Sequence, residues 1–199
     1  YGAKGLFMAS KSVARDEWHE YVSAIKTQNR FPETHSVYYA ERVRIDQVES
    51  FMNEVRADKT MKPEGYPTFY IFPIENQSDF FVIKYIEPYE ENKAMLGFNL
   101  ASDEIRRSHL YKARDTGEPT AILIDDHVQQ SADKMCFINV PIYRQGTNLV
   151  ADQDRTELIT GFAGVALMES DILADATQRI SAEQGLYYKI RNTPVLNLS

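Results

Sequence analysis

Residues 96–119 read LGFNLASDEIRRSHLYKARDTGEP, a turn followed by a helix with both ends marked and then a lead-in to a strand. Ser102 is a good N-cap, Asp103 and Glu104 fall in the first turn where carboxylates favour the helix dipole, and Gly117 suits a left-handed C-cap. The spacing predicts a helix over 102–117. Steps of four and three put Arg106 on one face with Leu110 and Ala113, the apolar stripe of that helix, while Arg107 points elsewhere, beside Asp103 one turn back. An arginine on a core-facing stripe snorkels to water, pairs with an internal carboxylate, or meets an anionic ligand in a pocket.

Working outward, residues 6–28 place Phe7, Ala14, Trp18, Tyr21, Val22 and Ile25 at helical steps, uninterrupted by proline or glycine. Residues 35–43 (HSVYYAERV) are β-branched and aromatic and predict a strand; residues 46–57 predict a second helix with Val48, Phe51, Met52 and Val55 on one face. A Pro- and Gly-bearing loop over 59–67 leads to two short strands, 68–72 and 80–86, expected to pair as a hairpin. Beyond the central helix, strands are expected at 120–124, 135–143 and 159–168, with a polar connection over 145–157, then a helix at 169–183 and a strand near 186–190. Helices mixed irregularly with hairpin-like strands predict an α+β fold with an antiparallel sheet.

The 199 residues, 43% of them hydrophobic, suffice for one ordinary domain or two small ones. A net charge of −7 argues against a broad phosphate-binding surface, so nucleic acid is not an expected partner. A single cysteine, Cys136, rules out an internal disulfide and a thiolate metal cluster. The longest uncharged stretch, 158–168, is far short of the ~20 apolar residues that span a bilayer. Opening at Tyr1-Gly2-Ala3 with neither an initiator Met nor a signal peptide, the chain is expected to be a piece of a longer protein.

Catalytic motifs are sparse. His19, His35, His109 and His127 fit no HExxH pattern, and there is no glycine-rich phosphate loop and no GxSxG elbow. Asp125, Asp126 and His127 read as a solvated turn, since adjacent strand residues face opposite sides and seldom share an ion. Asp115-Thr116-Gly117 matches the aspartic-protease triplet, which needs a second carboxylate from a dimer mate. Here it follows a charged helix, and a helix C-terminus accounts for it better. Neither a metal nor a cofactor is expected.

Taken together, residues 31–43 (FPETHSVYYAERV), 82–88 (VIKYIEP), 96–119, 139–144 (NVPIYR) and 159–167 (ITGFAGVAL) resemble the CHASE domain. This is the extracytoplasmic sensory module of receptor histidine kinases and diguanylate cyclases, found also in plant cytokinin receptors. Order and spacing carry the resemblance, which runs through most of the chain. It implies the end of a stalk helix over 1–30, a membrane-distal PAS-like ligand-binding subdomain over 31–164, and part of a membrane-proximal PAS-like subdomain over 165–199. It further implies a periplasmic or extracellular position in an inner-membrane protein, flanking transmembrane helices, a homodimer joined along the stalks, and a small-molecule ligand as partner. The domain itself would be non-enzymatic, with the enzyme in the cytoplasmic part.

Plant cytokinin receptors hold their purine with an aspartate ten residues before the threonine of the A-R-[DE]-T-G turn, and counting back from Thr116 gives Arg106. An arginine cannot accept from a purine's exocyclic amine, so it speaks against cytokinin and for a carboxylate or phosphate. Asn139 stands where the family has a pocket threonine, and the resemblance puts Ala94, Leu100, Ile122, Val128 and Phe162 on the pocket wall. The expected ligand is a small anionic metabolite. Two alternatives stand beside it: an internal Arg106 ion pair, with Glu87 as a partner, or a dimerisation or interaction module whose apparent pocket is filled by Phe81, Tyr85, Leu100 and Leu110.

Overall fold

Successive side chains along a strand point to opposite faces of its sheet, and here both faces are covered. The computed structural model describes residues 2–10, 12–27, 34–74, 78–125, 134–146 and 152–174. Strands β1 (Thr34–Arg44), β2 (Asp79–Glu87), β3 (Thr120–Asp125), β4 (Lys134–Tyr143) and β5 (Ile159–Met168) form one five-stranded sheet in the order β2-β1-β5-β4-β3. Every neighbouring pair is antiparallel. Helices α1 (Gly2–Ala9) and α2 (Arg15–Thr27) precede the sheet; α3 (Val48–Ala57), α4 (Tyr89–Asn92), α5 (Glu104–Thr116) and α6 (Asp152–Leu158) lie between strands. The fold is α+β, a helical N-terminus leading into an antiparallel sheet.

Parity explains the two faces. Tyr38, Phe162 and Tyr143 join a cluster with Leu110 and Ala113 of α5, whereas their chain neighbours Tyr39, Ala163 and Ile142 join Val13, Trp18 and Val22 on the other side. Trp18 is wholly buried, and the Tyr39 ring lies within 4.2 Å of Phe7, centroid to centroid. A further cluster gathers Phe51 and Val55 of α3 with Tyr66, Phe69 and Ile71 around Phe80 and Val82.

Several expectations need correction. The helix anticipated over 6–28 is two helices. Ala14 starts the second, its N–H donating to the Glu17 carboxylate at 2.7 Å as in half a capping box, and Asp16 and Glu17 occupy the first turn. The break lets α1 fold back, and Gln145 Nε2 donates to the carbonyls at its C-terminus, those of Phe7 and Met8, at 2.8 and 2.9 Å. The hairpin of 68–72 with 80–86 does not form. The outer edge of β2 is already taken by the turn at 97–100, through Ile83 N to Phe98 O at 3.0 Å and Leu100 N to Phe81 O at 2.8 Å, so Phe72 bridges to Phe98 instead. The polar connection over 145–157 contains α6, whose Leu158 packs on the core. Strand β5 ends at Met168 as expected, pairing with both β1 and β4 over its last residues. Residues 169–174 are helical; the rest of the helix expected over 169–183, and the strand near 186–190, lie outside the described residues.

Candidate functional site

Helix α5 is set by its caps. Asp103, in extended backbone, accepts from Arg106 N at 2.8 Å, and Gly117 closes the helix at φ 77°, its N–H on Ala113 O. The N-cap is therefore Asp103, one residue beyond Ser102, because a cap carboxylate reaches the N–H three residues on. That reach also brings its second oxygen to Arg106, whose Nη1 donates to Asp103 Oδ2. Arg106, not Arg107, holds Asp103; Arg107 Nη1 turns to the Ala101 carbonyl at 3.4 Å. Glu87 is engaged by His19 Nδ1 at 2.9 Å. The Asp115-Thr116-Gly117 triplet is the end of α5, with Arg114 Nε on the Asp115 carboxylate at 2.6 Å.

Arg106 lines a cavity, its side chain 20% exposed and its guanidinium carbon 5.5 Å from the Phe98 ring centre. Leu100, Ile122 and Asn139 line the same cavity, joined by Tyr38, Leu110 and Phe137. Asn139 is buried in the middle of β4, and its Oδ1 accepts from Tyr38 Oη at 2.8 Å. Burial pushes the Tyr38 phenol up, against the opposing pull of the Arg106 charge and the Asn139 hydrogen bond, so Tyr38 stays a neutral donor. The combination is a guanidinium, a phenol and an amide around an apolar hollow, the composition of a small-ligand pocket. As it stands the hollow is narrow, about 10 Å³ for a water-sized sphere, on the order of one water.

The remaining expected wall residues fall elsewhere. Phe162 is wholly buried in the core cluster on the α5 face with its ring 4.9 Å from Phe81, because its parity on β5 aims it into the core. Ala94 is exposed in the turn Lys93–Met95, and Val128 lies outside the described residues. Of the residues thought to fill the pocket, Tyr85 packs on the opposite face with Trp18 and Tyr39. Tyr38 and Phe137 were missed as wall residues. For Tyr38 the signal lies in the glycines of ITGFAGVAL: a Cβ on Gly164 would sit 2.3 Å from Tyr38 Cζ, so the glycine makes room for that ring.

The family model of the CHASE domain matches residues 11–194. The chain belongs to the CHASE domain family. A similar stretch occurs in "Hybrid signal transduction histidine kinase A" of Dictyostelium discoideum, 28% identical over 133 residues, which is 62% of this chain and 6% of that protein. This CHASE domain thus spans a small part of the curated relative it matches. CHASE domains are sensory and not catalytic, and this one is a sensor domain of the kind found in signalling proteins. Among the described residues no helix is long and apolar enough to cross a membrane.

Proposed function

We propose that this CHASE domain is the extracytoplasmic ligand-sensing part of a membrane-bound signalling protein, a histidine kinase or diguanylate cyclase, and that it binds a small anionic metabolite at Arg106. The observation that carries the reading is the convergence of Arg106 and Asn139, distant in sequence, on one apolar hollow with Tyr38. A carboxylate or phosphate would take the guanidinium from Asp103, exchanging one charge-assisted hydrogen bond for another, and would meet Tyr38 and Asn139 as neutral partners. A ligand transmits only its differential affinity for two states, so the signal would be a shift between two arrangements of a homodimer joined along its N-terminal helices. Flanking transmembrane helices would carry it to a cytoplasmic enzyme.

A second reading, a dimerisation or protein-interaction module that binds no small molecule, draws on the narrowness of the hollow and on the Asp103 carboxylate already held by Arg106. A thermal-shift screen of amino acids, organic acids, nucleobases and phosphorylated metabolites separates the two, followed by titration of any hit against Arg106→Ala. Anionic hits weakened at least tenfold by the substitution support the sensor; a hit whose affinity is unchanged removes Arg106 as anchor, and a blank screen favours the interaction module.

A further inference from the structure

A second cavity lies beside the first and shares two walls with it, Tyr38 and Phe137, whose ring centres are 6.4 Å apart. It offers about 20 Å³ for a water-sized sphere and is lined on its polar side by His35, Ser36 and Asn92. Adjacent residues of a strand ordinarily face opposite ways, yet His35 and Ser36 both line it. The cause is a β-bulge: Thr34 pairs with Leu167 and Ser36 with Ala166, leaving His35 as the extra residue that the bulge re-aims. Asn92, buried at the end of α4, fixes the arrangement by donating to Pro88 O at 3.0 Å and His35 O at 3.4 Å. Among the described residues the Nε2 atom of the half-buried His35 has no hydrogen-bond partner, a costly state that a polar group within its reach would relieve.

Resting on the Arg106 reading, we infer that the His35 cavity is the far pole of the ligand site, receiving a hydroxyl or amide end group. The ligand class is then an elongated small molecule, anionic at one end, hydrogen-bonding at the other, with an apolar stem between Tyr38 and Phe137. Phe137 is only half-buried, and Met95 and Met135 line the far cavity. Unbranched thioethers repack readily, so the two hollows join by side-chain movement without opening the sheet.

Calorimetric titration of the wild-type chain with carboxylates from butyrate to octanoate, and with the length-matched ω-hydroxy acids, tests this. At the spanning length the hydroxy acid is expected to bind about fivefold tighter, the value of one net hydrogen bond. His35→Leu abolishes that preference and His35→Gln, which keeps donor and acceptor, retains it, while Arg106→Ala weakens both series alike. Equal binding of the two series at every length overturns the far pole and leaves the Arg106 anchor standing, the cavity then holding water only. Binding of neither series, or binding indifferent to Arg106→Ala, overturns the anchor and the far pole with it. The wild-type comparison decides the matter even if His35→Leu does not fold.

Discussion

Asp103 does two jobs with one carboxylate, capping α5 through Arg106 N and holding the Arg106 side chain. Asparagine caps as well as aspartate but carries no charge. Asp103→Asn is therefore expected to leave the melting temperature within a few degrees of wild type while strengthening binding of an anionic hit severalfold, read by calorimetry. Asp103→Ala loses the cap too and should cost about 1 kcal/mol of stability. The glycines of β5 give a second test at this scale. A Cβ on Gly161 would lie 2.2 Å from the Ala40 carbonyl, which the β1–β5 pairing holds in place, and one on Gly164 would drive into Tyr38. Gly161→Ala and Gly164→Ala are each expected to lower stability by about 1–3 kcal/mol by overpacking, seen as a lower denaturant midpoint. Only Gly164→Ala should also weaken ligand binding, through the Tyr38–Asn139 hydrogen bond.

Helix α2 is held to the sheet by Trp18 and by Arg15. Removing the Trp18 ring should cost about 3–5 kcal/mol, on the order of 10 °C in melting temperature, with faster hydrogen exchange in α2. Arg15 is buried, its guanidinium 4.1 Å from the Tyr66 ring centre and its Nε donating to Asp58 at 2.8 Å. Burial raises the Asp58 pKa, but hydrogen bonds from Thr60 and Arg15 outweigh it and hold the carboxyl below its ordinary range. A depressed carboxylate stabilises the fold above its unfolded pKa, and that contribution is lost as pH falls through the folded value. The melting temperature should therefore fall below about pH 4. Asp58→Asn should lower it at neutral pH, by leaving Arg15 buried without its counter-charge, and flatten part of the acid dependence.

At the scale of the whole molecule, one sheet separates two roles. Its α5 face carries the cavities, its α2 face carries the N-terminal helices, and Tyr38 and Tyr39 are neighbours on β1 facing opposite ways. A ligand that moves Tyr38 thus acts on the strand against which α2 packs, a physical link between the cavities and the N-terminal helices. A ligand at 100 times its dissociation constant stabilises by about 2.7 kcal/mol, so the melting temperature should rise by roughly 5–10 °C. Sedimentation with and without that ligand tests the proposed homodimer: an assembly whose monomer–dimer balance shifts with ligand supports it, and a monomer under both conditions overturns it.

Local chemistry alone determined much of this chain. Caps placed α5 to within a residue, β-branched and aromatic runs placed the five strands of the sheet but not the expected strand over 68–72, and the order of short segments revealed the CHASE family. The resemblance, counted back from Thr116, pointed to Arg106, which lines a cavity with Asn139 and Tyr38. Contacts between distant segments decided the rest. The break at Ala14 depends on α1 folding back onto the sheet, the missing hairpin on the 97–100 turn occupying the β2 edge, and the pocket wall on which parity each strand adopts after its bulges. A bulge shifts parity by one residue, invisible in composition or period, and that single residue turns His35 toward a cavity.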